Sequence, residues 1–263
     1  MKKRLSDIYK RIKEVKIQGA SNIARAALEA YYLKPNNENK RKLLSLRPTE
    51  PMLSNVLHLA DKIPKNEILA HFNDAQSKIN KNVLKLIKNG MIIYTHCHST
   101  NVVKALIYVK NKGKKFEVYN TETRPLYQGR TTARELAKKG INVTDWVDSA
   151  MDEAIEKSDI VLLGSDAILN SGIINKIGSD AIAKLAYVNK KPVYIIADSW
   201  KFSPKSVKIE ERDFHEVWKK AGKHIKVMNP AFEKVEKKYI KGLVSELGIL
   251  KFDVFLKKVE RKK

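Results

Sequence analysis

The sequence has one cysteine, Cys97, in 263 residues. An intramolecular disulfide is therefore excluded, and a reducing cytoplasm is the expected home. Long apolar runs are missing too. None approaches the roughly 20 residues that a membrane helix needs, and no apolar signal core follows the basic start Met1-Lys2-Lys3-Arg4. There is no internal repeat, low-complexity tract or Pro/Ser-rich linker. No Gly-x-Gly-x-x-Gly follows a predicted strand and no P-loop is present, so dinucleotide and ATP chemistry are not indicated. Acidic residues are scarce, 29 against 52 Lys and Arg, for a formal charge of +23. That balance suits anionic ligands, either nucleic acid or phosphorylated metabolites. The lysines are spread along the chain and not gathered into an aromatic-interleaved patch. This reads most simply as a solvated surface, with no specific nucleic-acid partner.

Apolar residues make up 43% of the chain, enough to bury a substantial core in one large domain or two smaller ones. Residues 1–89 read as a helical domain. Ile8, Ile12 and Val15 fall at helical spacing, Ser21 could cap a helix over 22–33, and Ile68, Phe72, Ala75, Ile79, Val83 and Ile87 form the inward stripe of a helix over 66–89. Residues 90–263 alternate. Strands are predicted at 91–94, 116–119, 141–147, 159–163, 193–197 and 225–228. Helices are predicted at 101–112, 131–139, 148–157, 179–188 and 238–247, with a hairpin at 169–177. The fold class is α/β, a helical amino-terminal domain followed by a doubly wound, mostly parallel sheet.

Polar residues cluster just past the predicted strand ends: Cys97, Glu122, Arg124, Asp148, Asp166, Asp198, Lys201 and Asn229. In a parallel sheet those ends share one edge and surround one crevice. A thiol at a helix start near cations can have a depressed pKa and act as base or nucleophile; the plainer reading is a small buried apolar residue. Asp166 could be a desolvated acid or an ordinary turn cap. Gly19-Ala20-Ser21 could offer N–H groups to a phosphate or simply start a helix. His96 and His98 flank Cys97, but neighbours on a strand end point to alternate faces, so no shared metal ion is expected.

Five motifs occur in order: Thr95-His96-Cys97-His98-Ser99, Thr121-Glu122-Thr123-Arg124-Pro125 with Gln128-Gly129, Gly164-Ser165-Asp166-Ala167, Asn175-Lys176-Ile177-Gly178, and Asn229-Pro230-Ala231-Phe232. Together they resemble the superfamily of translation initiation factor 2B alpha, beta and delta subunits and related sugar-phosphate isomerases. Within it the chain resembles the archaeal ribose-1,5-bisphosphate isomerases most. The resemblance implies a Rossmann-like domain at 90–263 and conversion of ribose 1,5-bisphosphate to ribulose 1,5-bisphosphate in nucleoside monophosphate salvage. It implies Cys97 as proton acceptor and Asp166 as proton donor, each worth about 10²–10⁴-fold. It places the substrate against Gln18, Gly19, Ala20, Ser21, Arg47, Ser99, Thr100, Asn101, Arg124, Asn175, Lys176 and Lys201. No metal or cofactor is implied, AMP is a candidate activator, and the assembly would be a homo-oligomer, dimer or hexamer. Two other readings stay open. One is a non-catalytic regulatory subunit that binds initiation factor 2, and the other is methylthioribose-1-phosphate isomerase. The chain departs from the isomerases at Gln18, where they carry Arg, and at Val235-Glu236-Lys237, where they carry Thr-Pro-Pro. The loop between Asp166 and Asn175 is also one residue shorter.

Overall fold

The computed structural model describes residues 2–14, 16–17, 19–209 and 211–261. Apolar residues at helical spacing build the first layer. Helices α1 (Lys2–Lys13), α2 (Ala20–Leu33), α3 (Asn37–Leu46) and α4 (Pro51–Leu59) bury Ile8, Ile12, Ile23, Ala27, Leu43, Leu53 and Leu57 against one another. Pro51 opens α4, where its missing N–H costs nothing. Helix α5 (Lys65–Leu86) spans two cores. Ile68 and Phe72 pack on α2 and α4, while Ile79 and Val83 enter the core beneath the sheet.

From Ile92 the chain alternates strand and helix. Strands β1 (Ile92–His96), β2 (Glu117–Thr121), β3 (Asn142–Trp146) and β4 (Ile160–Leu163) are interleaved with α6 (Thr100–Asn111), α7 (Gln128–Ala137) and α8 (Met151–Glu156). A hairpin, β5 (Ala167–Leu169) and β6 (Gly172–Lys176), precedes α9 (Ser179–Val188) and β7 (Val193–Ile196). Then come β8 (Phe232–Glu236), β9 (Gly242–Ser245), β10 (Gly248–Leu250) and α10 (Phe252–Glu260). The main sheet runs β10-β9-β7-β4-β1-β2-β3, parallel except for the edge strand β10. β4 is buried along its whole length, as a strand covered on both faces must be. A second, antiparallel sheet, β5-β6-β8, stands beyond the carboxyl end of β4.

Three expectations fail. Residues 225–228 form no strand; Ile225 and Met228 are 48% and 60% exposed in a loop. Asn229 therefore follows no strand, and its amide donates to Asp213 O and Glu216 Oε2 at 2.9 and 3.2 Å. The segment 238–247 is no helix but contains β9, with Leu243 and Val244 fully buried in the sheet. Ser21 is not a cap. The helix starts two residues earlier, at Ala20, and Gly19 occupies the cap position with φ 84°, a left-handed conformation that glycine adopts without strain.

Candidate active site

The carboxyl ends of β1 and β4, the base of the hairpin, and the starts of α2 and α6 enclose one cleft. Cys97 sits where β1 ends. Its φ is 64°, in the left-handed region, which costs a non-glycine residue about 1–3 kcal/mol. Two threonines hold that conformation: Cys97 N–H donates to Thr123 Oγ1 at 3.0 Å, and Thr132 Oγ1 donates to the Cys97 carbonyl at 2.8 Å. Gly164, at the end of β4, makes room next door. A Cβ there would lie 2.5 Å from Ser99 Oγ, so only glycine lets the start of α6 approach this strand.

Both flanking histidines are committed to the protein. His96 Nε2 donates to Ile177 O at 2.9 Å and its Nδ1 meets Thr121 Oγ1 at 2.7 Å; burial holds its pKa down. His98 Nδ1 meets Thr132 Oγ1 at 3.0 Å, and burial lowers its pKa as well. His98 thus braces Thr132, and His96 Nδ1 also lies 3.4 Å from Thr123 Oγ1, the other threonine that holds Cys97. Among the described residues, His71, Asp198 and Glu246 are the His/Asp/Glu group whose donor atoms converge within 4.8 Å. There His71 is bonded to Asp198, and Ser199 N–H to Glu246.

The thiol departs from expectation. Burial pushes Cys97 up to about 12, outweighing the Lys176 ammonium and the His98 N–H, which pull it down. The cation effect that could depress it is present but loses to desolvation. Lys176 feels the same burial, which lowers its pKa, while Cys97 raises it.

Cys97 and Asp166 line the cleft with Gly19, Ala20, Ser21, Arg47, Ser99, Thr100, Asn101, Asn175, Lys176 and Lys201. Asn175 donates to Ser179 Oγ at 2.9 Å, and the Lys201 ammonium to Ser165 O at 2.6 Å. Arg47 pairs with Glu50 at 3.2 Å, both buried. Four cations therefore reach the cleft, Arg47, Lys176, Lys201 and Arg212, against the carboxyl groups of Glu50 and Asp166. Such a lining suits an anion with more than one phosphate.

Two expected residues stand apart. Gln18 lies outside the described residues. Arg124 does not line the cleft; its guanidinium donates to Tyr127 Oη at 2.6 Å and Val217 O at 3.2 Å, at the exposed surface. Sequence reasoning missed Glu50, Leu126, Gln128, Arg212 and Phe232, which do line it. Gln128 had a signal, since it belongs to a quoted motif, and its buried Oε1 has no hydrogen-bond partner among the described residues. Arg212 had none, because it comes from a loop without periodicity.

The family model described as the initiation factor 2 subunit family matches residues 58–252. A curated relative from Methanocaldococcus jannaschii, named ribose 1,5-bisphosphate isomerase, is 35% identical over 94% of this chain and 91% of its own length. The crystal structure of a Pyrococcus horikoshii protein titled translation initiation factor eIF-2B superposes with a TM-score of 0.84 at 28% identity, covering 94% of this chain and 97% of that one. A 5-methylthioribose 1-phosphate isomerase from the same organism superposes at 0.78 with 24% identity over 98% and 88%, a likeness of fold alone.

Proposed function

The chain belongs to the initiation factor 2 subunit family, and from that premise we propose that it is an aldose–ketose isomerase converting ribose 1,5-bisphosphate to ribulose 1,5-bisphosphate. The observation that carries this reading is the meeting of Cys97 and Asp166 in one cleft with four cations and the start of α2. Two phosphates need such partners, and the chemistry needs one proton acceptor and one donor.

The steps balance as proton transfers. Asp166 gives its proton to the ring oxygen as the C1–O bond breaks. The Cys97 thiolate takes the C2 proton, whose bonding pair closes the C1–C2 double bond. The thiol returns that proton to C1 while the C2 hydroxyl becomes a carbonyl and its proton passes to the Asp166 carboxylate. No atom is gained or lost, and no net oxidation occurs, so the reaction calls on no redox cofactor. A burial-raised thiol must ionise before it can accept, and Lys176 is the cation that favours this.

In this reading the protein acts in the cytoplasm within nucleoside monophosphate salvage, with AMP as activator. It works as a homo-oligomer, dimer or hexamer, for which the exposed Phe214, Trp218, Ile225 and Met228 offer an apolar surface. Incubating pure protein with ribose 1,5-bisphosphate, with and without AMP, should yield ribulose 1,5-bisphosphate. No product from folded protein under either condition would overturn the reading. The 0.84 superposition on the eIF-2B-titled structure favours a second reading, a non-catalytic regulatory subunit. A stable pulldown of initiation factor 2 together with an inert Cys97 would select it.

A further inference from the structure

We propose that His71 and Asn55, on helices outside the cleft, are positioning residues that hold Lys201 in the cleft and, through it, the Ser165–Asp166 loop. The kinetic consequence rests on the isomerase reading; the geometry does not.

Lys201 ends a three-residue 3₁₀ turn, Ser199–Lys201, that follows β7. A turn this short has almost no hydrogen bonds of its own, so neighbours must fix it. From the sheet side, Asp198 Oδ1 accepts Trp200 N–H at 2.8 Å, and Glu246 accepts the Ser199 N–H at 3.1 Å and also the Ser199 hydroxyl. From the helical layer, Asn55 on α4 donates from Nδ2 to Trp200 O at 2.7 Å and Phe202 O at 3.0 Å. His71 on α5 faces both Asp198 carboxylate oxygens with Nε2, at 3.1 and 3.2 Å. Its ring also stacks on the Trp200 indole, 3.5 Å between centroids and 6° from parallel.

The turn passes this order onward. The Lys201 ammonium, 5% exposed, donates to the Ser165 carbonyl at 2.6 Å, and Ser165 immediately precedes Asp166. Two helices remote from the chemistry therefore reach the proposed acid through one tryptophan, one lysine and one carbonyl. Asp198 and Glu246 are carboxylates packed together, and burial with Asp198 beside it raises the Glu246 pKa. His71 bonds to Asp198 of this pair from the helical side, so its loss removes that bond and the stack on the indole at once.

His71→Ala and Asn55→Ala should each raise KM for ribose 1,5-bisphosphate about tenfold, because a displaced Lys201 no longer meets the anion, and lower kcat about threefold, because the loop that carries Asp166 loses its anchor. His71→Gln, which keeps a donor, should recover most of the loss. In a Lys201→Met background, His71→Ala should add less than about twofold, since its route runs through the missing ammonium. A packing role alone would lower the melting temperature equally in both backgrounds and leave KM unmoved; that result overturns the proposal. Amide hydrogen exchange without substrate separates this proposal from the isomerase reading. Exchange at Trp200, Lys201 and Phe202 should quicken about tenfold in His71→Ala and Asn55→Ala. Unchanged exchange overturns the clamp even in an active enzyme. Quickened exchange in a protein that never isomerises sinks the isomerase reading and leaves the clamp standing.

Discussion

Cys97 brings three costs together at one residue: a left-handed backbone, a desolvated thiol and an adjacent buried lysine. Such a constellation is costly in a fold and inexpensive to remove, and in the proposed reaction it supplies the proton acceptor. Its raised pKa has a direct consequence. A proton acceptor must be deprotonated, and below a pKa of about 12 the thiolate fraction climbs tenfold per pH unit. The rate of alkylation by iodoacetamide should therefore rise log-linearly from pH 6 to 9 without a plateau, in about tenfold steps. Lys176→Met should slow it at every pH, since the cation that favours the thiolate is gone; a plateau near pH 7 would show a depressed thiol instead. Arg124 supplies the contrasting test. Its side chain is spent on Tyr127 and Val217, so Arg124→Ala should leave KM within about twofold, in the range of surface changes. A tenfold rise would return Arg124 to the binding site.

At the scale of elements, the cleft depends on close approach. Gly164→Ala would put a methyl 2.5 Å from Ser99 Oγ and push α6 away from β4. Overpacking of this kind costs about 1–3 kcal/mol. Thermal unfolding should show that loss, and KM should rise because Ser99, Thr100 and Asn101 move together; unchanged unfolding would mean the strand end yields freely. Several elements were legible from local pattern. Helix α9 starts and ends where the spacing predicts, and Asn170-Ser171-Gly172 does turn a hairpin. The failures come from patterns that satisfy the wrong period. Ile240, Leu243, Val244 and Leu247 fall at i, i+3, i+4 and i+7, which reads as a helix. Two of them are buried because β9 lies inside a sheet, a fact set by partners far away in sequence. Ile225-Lys226-Val227-Met228 reads as a strand yet finds no strand to pair with.

For the whole molecule, the alternation of strand and helix made the parallel sheet readable, and the shared edge of its strands led to the cleft. The second sheet was not readable, because β8 joins β6 from more than fifty residues away and no local signal records such a pairing. The same holds for Arg212, which a long loop carries back to the cleft, and for α5, which binds the helical layer and the sheet into shared cores. The exposed apolar residues from Phe214 to Met228 belong to this scale too. Light scattering should report at least a dimer, and Trp218→Glu should shift it towards monomer; a wild-type monomer would remove the oligomer from the account. In the proposed reaction this cleft moves protons on a sugar bisphosphate through Cys97 and Asp166. Phosphorus NMR of ribose 1,5-bisphosphate, with and without AMP, follows that conversion. Wild-type protein should convert it to ribulose 1,5-bisphosphate, while folded Cys97→Ser and Asp166→Asn should leave it intact. Full conversion by either variant, or none by the wild type, would contradict the proposal.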